Sequence, residues 1–260
     1  MLPKDELLAG CQHLSPLTAL IDQAEQALRT WEPSWSGFLA PEVREEAEAR
    51  LGMLSELELQ ADGGWPQAER CRLRLQRAEL SEQALAPATF CGLVVSGNFP
   101  FDPANPADVR AGLEAAGIAA DQLGDIWMRG DRGAQAVITA EQSATWQNRS
   151  ALVRTVDVQL ECVALTELQW PASRMPKRLS TVEASLRLDA VASAGMGLSR
   201  SRMSDLIRAG AVRVNWQQVT SPSRELRSGD RIRLEGRGEL EILEIQTTKR
   251  DRWRLLMQRR

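Results

Sequence analysis

The sequence predicts an α+β fold in three parts, on three observations. Apolar residues recur at helical spacing near the N-terminus, short strand-like runs dominate the middle, and a helix pair followed by arginine-studded strands closes the chain. The expected boundaries are 1–85 for a small, mainly helical α/β unit, 86–168 for a middle domain and 181–260 for a C-terminal domain. A chain of 260 residues is long enough for each part to bury a core of its own. Hydrophobic residues make up 43% and charged residues 26%, the balance of a globular chain rather than a disordered one.

In the first part, residues 16–30 and 41–54 carry the helical spacing. Leu57, Leu59 and Ala61 alternate with Glu56, Glu58 and Gln60, as in a half-buried strand. They lead into Asp62, Gly63, Gly64 and Trp65, where the glycine pair predicts a turn. Residues 66–71 read as one helical turn. Leu73 and Leu75, set between arginines, read as a second strand. The stretch 80–88 reads as a break.

The middle part reads as strand 89–96, helix 106–116, strands 125–129 and 134–139, helix 141–151 and strand 156–165. Pro106 suits a first helical position and Gly117 a stop. The order β-α-β-β-α-β is the split βαβ, or ferredoxin-like, pattern. Its third strand, from Gly133 to Thr139, has no aromatic residue, which argues against a sheet that stacks bases. Pro171 and Pro176 mark 169–180 as a basic linker.

In the last part, Ser180 and Glu183 have the spacing of a capping box, which predicts a helix to about residue 194, ended by Gly195. Ser199 suits the N-cap of a second helix over 200–209, and Gly210 its left-handed cap. Met203, Leu206 and Ile207 form its core stripe, while Arg202 and Arg208 fall off it. Val212 and Val214 alternate with Arg213 and Asn215. Beyond a turn at Ser228, Gly229 and Asp230, Ile232 and Leu234 alternate with Arg231 and Arg233. Each strand buries its aliphatics and points arginines the other way.

Charge distribution gives this pattern a chemical meaning. The chain carries a net charge of −3. Residues 181–260 hold sixteen basic and ten acidic residues, a net +6, which leaves −9 for residues 1–180. A basic C-terminal part on an acidic chain points to a polyanion. Guanidinium groups pair with phosphate oxygens in a bidentate fork and stack on exposed bases. Arg200 and Arg202 stand at a helix N-terminus, where the helix dipole disfavours cations and a bound phosphate would reverse the sign. Both are expected to be dispensable for the core.

Other functions find little support. Cys11, Cys71, Cys91 and Cys162 are too scattered for a metal knuckle, and His13 is the only histidine. The expectation is therefore four reduced, mostly buried thiols, no metal and no cofactor. His13 lies in an N-terminal stretch expected to be mobile, which leaves no histidine general base. The first residues lack the pattern of a signal peptide and no apolar run is long enough to span a bilayer, so a cytoplasmic protein without membrane insertion is expected.

Four spaced motifs resemble the S4 domain, a module named after a ribosomal small-subunit protein. They are Arg187-Leu188-Asp189, Leu198-Ser199-Arg200-Ser201, the run from Ile207 through Gly210, Val212 and Val214 to Asn215, and Gly229-Asp230 with Ile232. The resemblance covers most of 181–236. It implies two helices packed on a small sheet, of the type named αL, gripping structured RNA by shape. Arg187, Ser199, Arg200, Arg202, Arg208, Arg213 and Asn215 match its usual RNA-facing side, with Asp189 an alternative ion-pair partner for Arg187. Trp216 stands where the family often has glycine and either stacks on a base or caps the sheet. Arg231 completes the expected RNA-binding set.

S4 domains also accompany enzymes. Pseudouridine synthases usually carry one ahead of the catalytic domain, and no such domain follows here. Tyrosyl-tRNA synthetases carry one at the C-terminus, but the preceding part is too short and lacks their histidine motif. The whole chain resembles the YlmH-type family of S4 proteins instead. The resemblance is carried by Asp62-Gly63-Gly64-Trp65 continuing through Glu69 and Arg70, by Ser96-Gly97-Asn98 and by Gly124-Asp125-Ile126. Where that family often has His-Arg-Asp in the middle helix, only Asp108 is kept. Val214-Asn215-Trp216 resembles the version in oxygenic phototrophs, cyanobacteria included, labelled photosystem II S4 domain protein. The family resemblance implies association with the large ribosomal subunit, ribosomal RNA and peptidyl-tRNA in rescue of stalled translation. A factor for photosystem II and an RNA-modifying enzyme are the alternatives. The enzyme would need a site built from Asp62, Glu69 and Asp125, acids more readily explained as turn, cap or ion-pair residues.

Overall fold

The computed structural model describes residues 2–80, 88–172, 176–234 and 237–260. Most of the expected break at 80–88 lies outside them, as does part of the linker at 169–180. The chain divides into two compact units, Met1–Pro171 and Ala172–Arg260.

The first unit opens with helices α1 (Lys4–Leu8), α2 (Leu14–Thr30) and α3 (Pro41–Leu51) and strands β1 (Ser34–Trp35), β2 (Leu57–Asp62) and β3 (Arg72–Arg77). The strands form an antiparallel sheet in the order β1-β3-β2. Leu17, Ile21 and Ala24 of α2 bury against Leu73 and Leu75 of β3. Residues 66–71 are not helical, which corrects the helical turn expected there. His13 is not in a mobile stretch: its Nδ1 lies 2.8 Å from Glu46 Oε2, and the same carboxylate accepts the amides of Gln12 and His13. Arg72 and Arg74 are buried. As residues of the central strand they are only 8% exposed, lying against the Trp35 ring at 6.0 and 5.9 Å. Of the four thiols Cys71 is buried, while Cys11, Cys91 and Cys162 are half-buried.

A second sheet follows in the same unit, built from β4 (Phe90–Ser96), β5 (Leu123–Met128), β6 (Gly133–Thr139), β7 (Ser150–Val153) and β8 (Val156–Val163). Its order is β5-β6-β4-β8-β7 with every pair antiparallel. Without the β7 edge this is the strand order of the split βαβ pattern. Helix α4 (Pro106–Ala115) supplies the first crossover, opened by a reciprocal capping box between Asn105 and Asp108. The second crossover is much shorter than the helix expected over 141–151: α5 spans only Ser143–Trp146. Asn148 turns left-handed at φ 60°, and Ser150–Val153 then alternates exposed with buried residues as strand β7. The pleat buries Ala151 and Val153, which a continued helix would not.

The Asp62–Arg70 motif holds these two sheets together. Asp62 accepts the Gly64 amide and closes a turn in which Gly64 has φ +83°. Asp125, on β5, accepts three hydrogen bonds from the motif: Trp65 Nε1 at 3.1 Å and the amides of Glu69 at 2.8 Å and Arg70 at 3.0 Å. Arg70 donates in turn to the carbonyls of Phe38, Ala120 and Leu123. Gly124 is needed beside Asp125, because a Cβ there would lie 2.7 Å from the Phe38 ring.

The second unit is one antiparallel sheet of six strands with two helices. Its strands are β9 (Lys177–Glu183), β10 (Val212–Val214), β11 (Gln217–Gln218), β12 (Arg231–Leu234), β13 (Gly238–Thr247) and β14 (Trp253–Arg259), in the order β11-β10-β12-β13-β14-β9. Helices α6 (Leu188–Met196) and α7 (Arg200–Arg208) cover one face through Leu188, Val191, Met203 and Ile207, packed with Val212, Val214, Ile232, Leu240 and Leu255. The capping box expected at Ser180 and Glu183 is absent. Those residues belong to β9, which pairs with β14 over seven residues. That pairing, together with Leu179 packing on the core, outweighs a local cap signal. Helix α6 accordingly starts at Leu188 and ends at Gly197 rather than Gly195.

Candidate nucleic-acid interface

Because Val212, Val214, Ile232 and Leu234 point into the core, the pleat turns Arg213, Arg231 and Arg233 to the sheet face away from the helices. Arg213 and Arg233 stand directly opposite each other on β10 and β12. Like charges so placed repel, and Glu239, opposite Arg233 on β13, offsets part of that repulsion. Arg213 is exposed.

The β10–β11 hairpin closes over this cluster. Asn215 and Trp216 are its two turn residues, with φ of 48° and 68°, between the paired Val214 and Gln217. Two left-handed residues make a type I′ turn, which favours Asn-Gly. Asn215 fits, and its side chain is used by the fold: Oδ1 accepts the Arg231 amide at 2.9 Å and Nδ2 donates to Asp230 at 2.8 Å. Trp216 replaces the glycine at a conformational cost of about 1–3 kcal/mol. In return its ring lies 5.3 Å from the Arg231 guanidinium and 5.7 Å from that of Arg233. The ring thus lies against two guanidinium groups of the neighbouring strand.

The helix side of the interface is organised by Asp189. Its side chain is only 6% exposed, at the start of α6. Arg187 grips it through Nε and Nη2, both at 3.1 Å. Arg200, at the start of α7, grips the same two oxygens at 3.1 and 3.2 Å. Burial works to raise the Asp189 pKa, but the hydrogen bonds from Arg187 and Arg200 outweigh it and hold the carboxyl below its usual range. Arg200 is therefore part of the structure, which corrects the expectation that the core does not need it. Its outer edge remains available, since its side chain is 56% exposed. Ser199 caps α7 by accepting the Arg202 amide at 3.3 Å. Arg202 is exposed beyond it, and Arg208 makes an exposed ion pair with Asp205 at 3.4 Å.

The nine expected residues thus fall into groups. Arg187 and Arg200 share a carboxylate, Asn215, Trp216 and Arg231 build one hairpin platform, Ser199 is a cap, and Arg202, Arg208 and Arg213 project outward. Asp189 was expected as an ion-pair partner of Arg187 but not of Arg200, and Arg233 was missed as a member of the platform. Arg233 had a visible signal, since it alternates with Ile232 and Leu234 just as Arg231 does. Among the described residues, no group of three or more His, Cys, Asp or Glu side chains is placed to hold a metal ion, and no helix is long and apolar enough to cross a membrane. Asp62 and Asp125 are engaged in the turn and the inter-sheet contact described above.

Comparison with known proteins agrees with this geometry. Residues 14–80 match the family described as YlmH, N-terminal, and residues 186–232 match the S4 domain. The chain is 29% identical over 250 residues to the Bacillus subtilis protein named ribosome-associated protein quality control protein P2, covering 93% of this chain and 94% of that protein. The solved structure titled cell division protein ylmH from Streptococcus pneumoniae is similar at 16% identity and a TM-score of 0.44, over 64% of this chain and 95% of the other. Motifs and relatives converge: this chain joins a YlmH-type N-terminal region to an S4 RNA-binding domain and is similar over nearly its whole length to the Bacillus subtilis protein.

Proposed function

We propose that the protein acts in the cytoplasm on the ribosome, where its S4 domain holds ribosomal RNA, transfer RNA or both on the large subunit during rescue of stalled translation. The observation that carries this reading is the set of Arg200, Arg202, Arg213, Arg231 and Arg233, with Arg200 held by Asp189 and Arg231 and Arg233 lying against the Trp216 ring, on a unit of net positive charge. A relative aligned over nearly the whole chain is named for ribosome-associated quality control. We also propose that the first unit works as two domains, 1–85 and 86–168, beside an S4-containing unit at 172–260 that includes β9. Separate apolar clusters within the first unit support that division.

Ultraviolet crosslinking in cells, followed by sequencing of the bound RNA, tests the assignment. Enrichment of large-subunit ribosomal RNA and tRNA is the expected result. Enrichment of messages for photosystem II subunits in their place would transfer the function to the photosystem reading.

A further inference from the structure

The S4 motif match ends at residue 232, yet the basic character of the unit does not. The tip of the β13–β14 hairpin, residues 248–254, carries Lys249, Arg250, Arg252 and Arg254 against a single acid, Asp251, and all five are exposed. We propose that this hairpin tip is a second RNA-phosphate site, separate from the S4 motif and contacting another part of the same RNA. Such a site rests on the RNA-binding reading above.

Three observations carry it. The tip is a defined turn. The Thr248 amide donates to the Arg252 carbonyl at 2.7 Å, the Asp251 amide donates to the Thr248 carbonyl at 3.2 Å, and Asp251 is left-handed at φ 50°. That is a three-residue hairpin loop of type I plus a left-handed residue. The Thr248 hydroxyl accepts the Arg252 amide at 3.2 Å and ties the base of the loop. Lys249 and Arg250 therefore project from an ordered turn, which lowers the entropy lost on binding.

The cations also border a concavity of about 770 Å³, lined in addition by Val182, Gln246, Thr247 and Thr248. Arg254, one of the lining residues, is paired across the sheet with Val182 on one side and Gln246 on the other. Hydroxyl and amide groups interleaved with guanidinium groups are the donor set of a phosphate backbone contact.

The position is complementary to the S4 site. Trp253, at the tip, pairs with Glu183 at the end of β9. Arg187 of the Asp189 clamp is four residues further on, within about 14 Å of extended chain. The hairpin tip and the helix N-termini thus share one end of the unit. Along β13, by contrast, Glu241 opposite Arg231 is six residues from Thr247, about 20 Å. Glu241, opposite Arg231, and Glu244 lie on that path, so the two basic areas are distinct rather than one patch. Two phosphate sites so spaced fix the orientation of a folded RNA, which one site alone does not.

The test uses the full chain, end-labelled unfractionated bacterial tRNA as the probe, and binding titrations across salt concentrations. The wild type is compared with a tip variant, K249A with R250A and R252A, and with an S4-face variant, R202A with R213A. Unchanged melting curves establish that both fold, and the single reversal R250E provides a smaller perturbation if the triple change does not. The expected result is an affinity loss of about tenfold or more for the tip variant. The slope of log affinity against log salt should become shallower by about 0.7–0.9 for each phosphate that the variant no longer neutralises. A folded tip variant with wild-type affinity and slope, beside a weakened S4-face variant, would overturn the second site and leave the S4 assignment standing. Absence of tRNA binding by the wild type would remove both. A tip variant normal towards tRNA but defective on phosphatidylglycerol vesicles would assign the hairpin to a lipid surface and also overturn the proposal.

Discussion

Asp189 shows how a single carboxylate prepares a basic surface. Two arginines held on one buried acid present their outer edges in fixed positions, and the acid offsets their mutual repulsion. Asp189→Asn should cost about 1–2 kcal/mol at neutral pH, modest for a buried ion pair because both arginines keep access to water. The folded carboxyl has a depressed pKa, so its stabilisation is complete above the ordinary aspartate pKa of about 3.9 and is lost as pH falls through the lower folded value. Melting curves of wild type and variant should therefore differ at pH 7 and converge below about pH 4. Neighbouring arginines separate binding from folding. Arg202→Ala should weaken RNA binding and leave the melting temperature unchanged, whereas Arg200→Ala should lower both. Equal thermal effects in the two variants would show that the Asp189 clamp does not distinguish them.

At the level of elements, legibility followed sequence distance. The α7 cap at Ser199, its stripe of Met203 and Ile207 and the β10 alternation are signals within a few residues, and the structure has all of them. The β9 strand depends on pairing Lys177 with Arg259, and Ser180–Glu183 alone looks like a helix start. Likewise the Asp62–Arg70 motif was visible as a motif but not as a contact, because its acceptor Asp125 lies 60 residues beyond Trp65. The consequence for Asp125 is specific. Asp125→Ala strands a tryptophan N–H and two amides and should cost about 2–3 kcal/mol. The destabilisation should be accompanied by a change in fluorescence, since Trp65 stacks on Trp170 at 5.4 Å and touches Trp127. A variant with unchanged stability and emission would show that the motif does not hold the two sheets. The β9 correction also resets the boundary of the second unit. A fragment beginning at residue 181 lacks Leu179 and most of the β14 pairing, so it should melt well below one beginning at 172 when both are followed by circular dichroism. Equal melting points would make β9 dispensable.

For the whole molecule, the sign of charge and the fold agree. The first unit carries the acidic excess and buries its arginines against carbonyls and tryptophans, as Arg70, Arg72 and Arg74 do. The second unit turns its arginines outward from a helix N-terminus and a sheet face. RNA binding should therefore travel with residues 172–260. A fluorescence titration of labelled tRNA with that fragment, beside the full chain, tests this most directly. The account predicts affinity within about tenfold of the full chain and a steep fall with added salt. A folded 172–260 fragment that fails to bind, or binds without salt dependence, would contradict it.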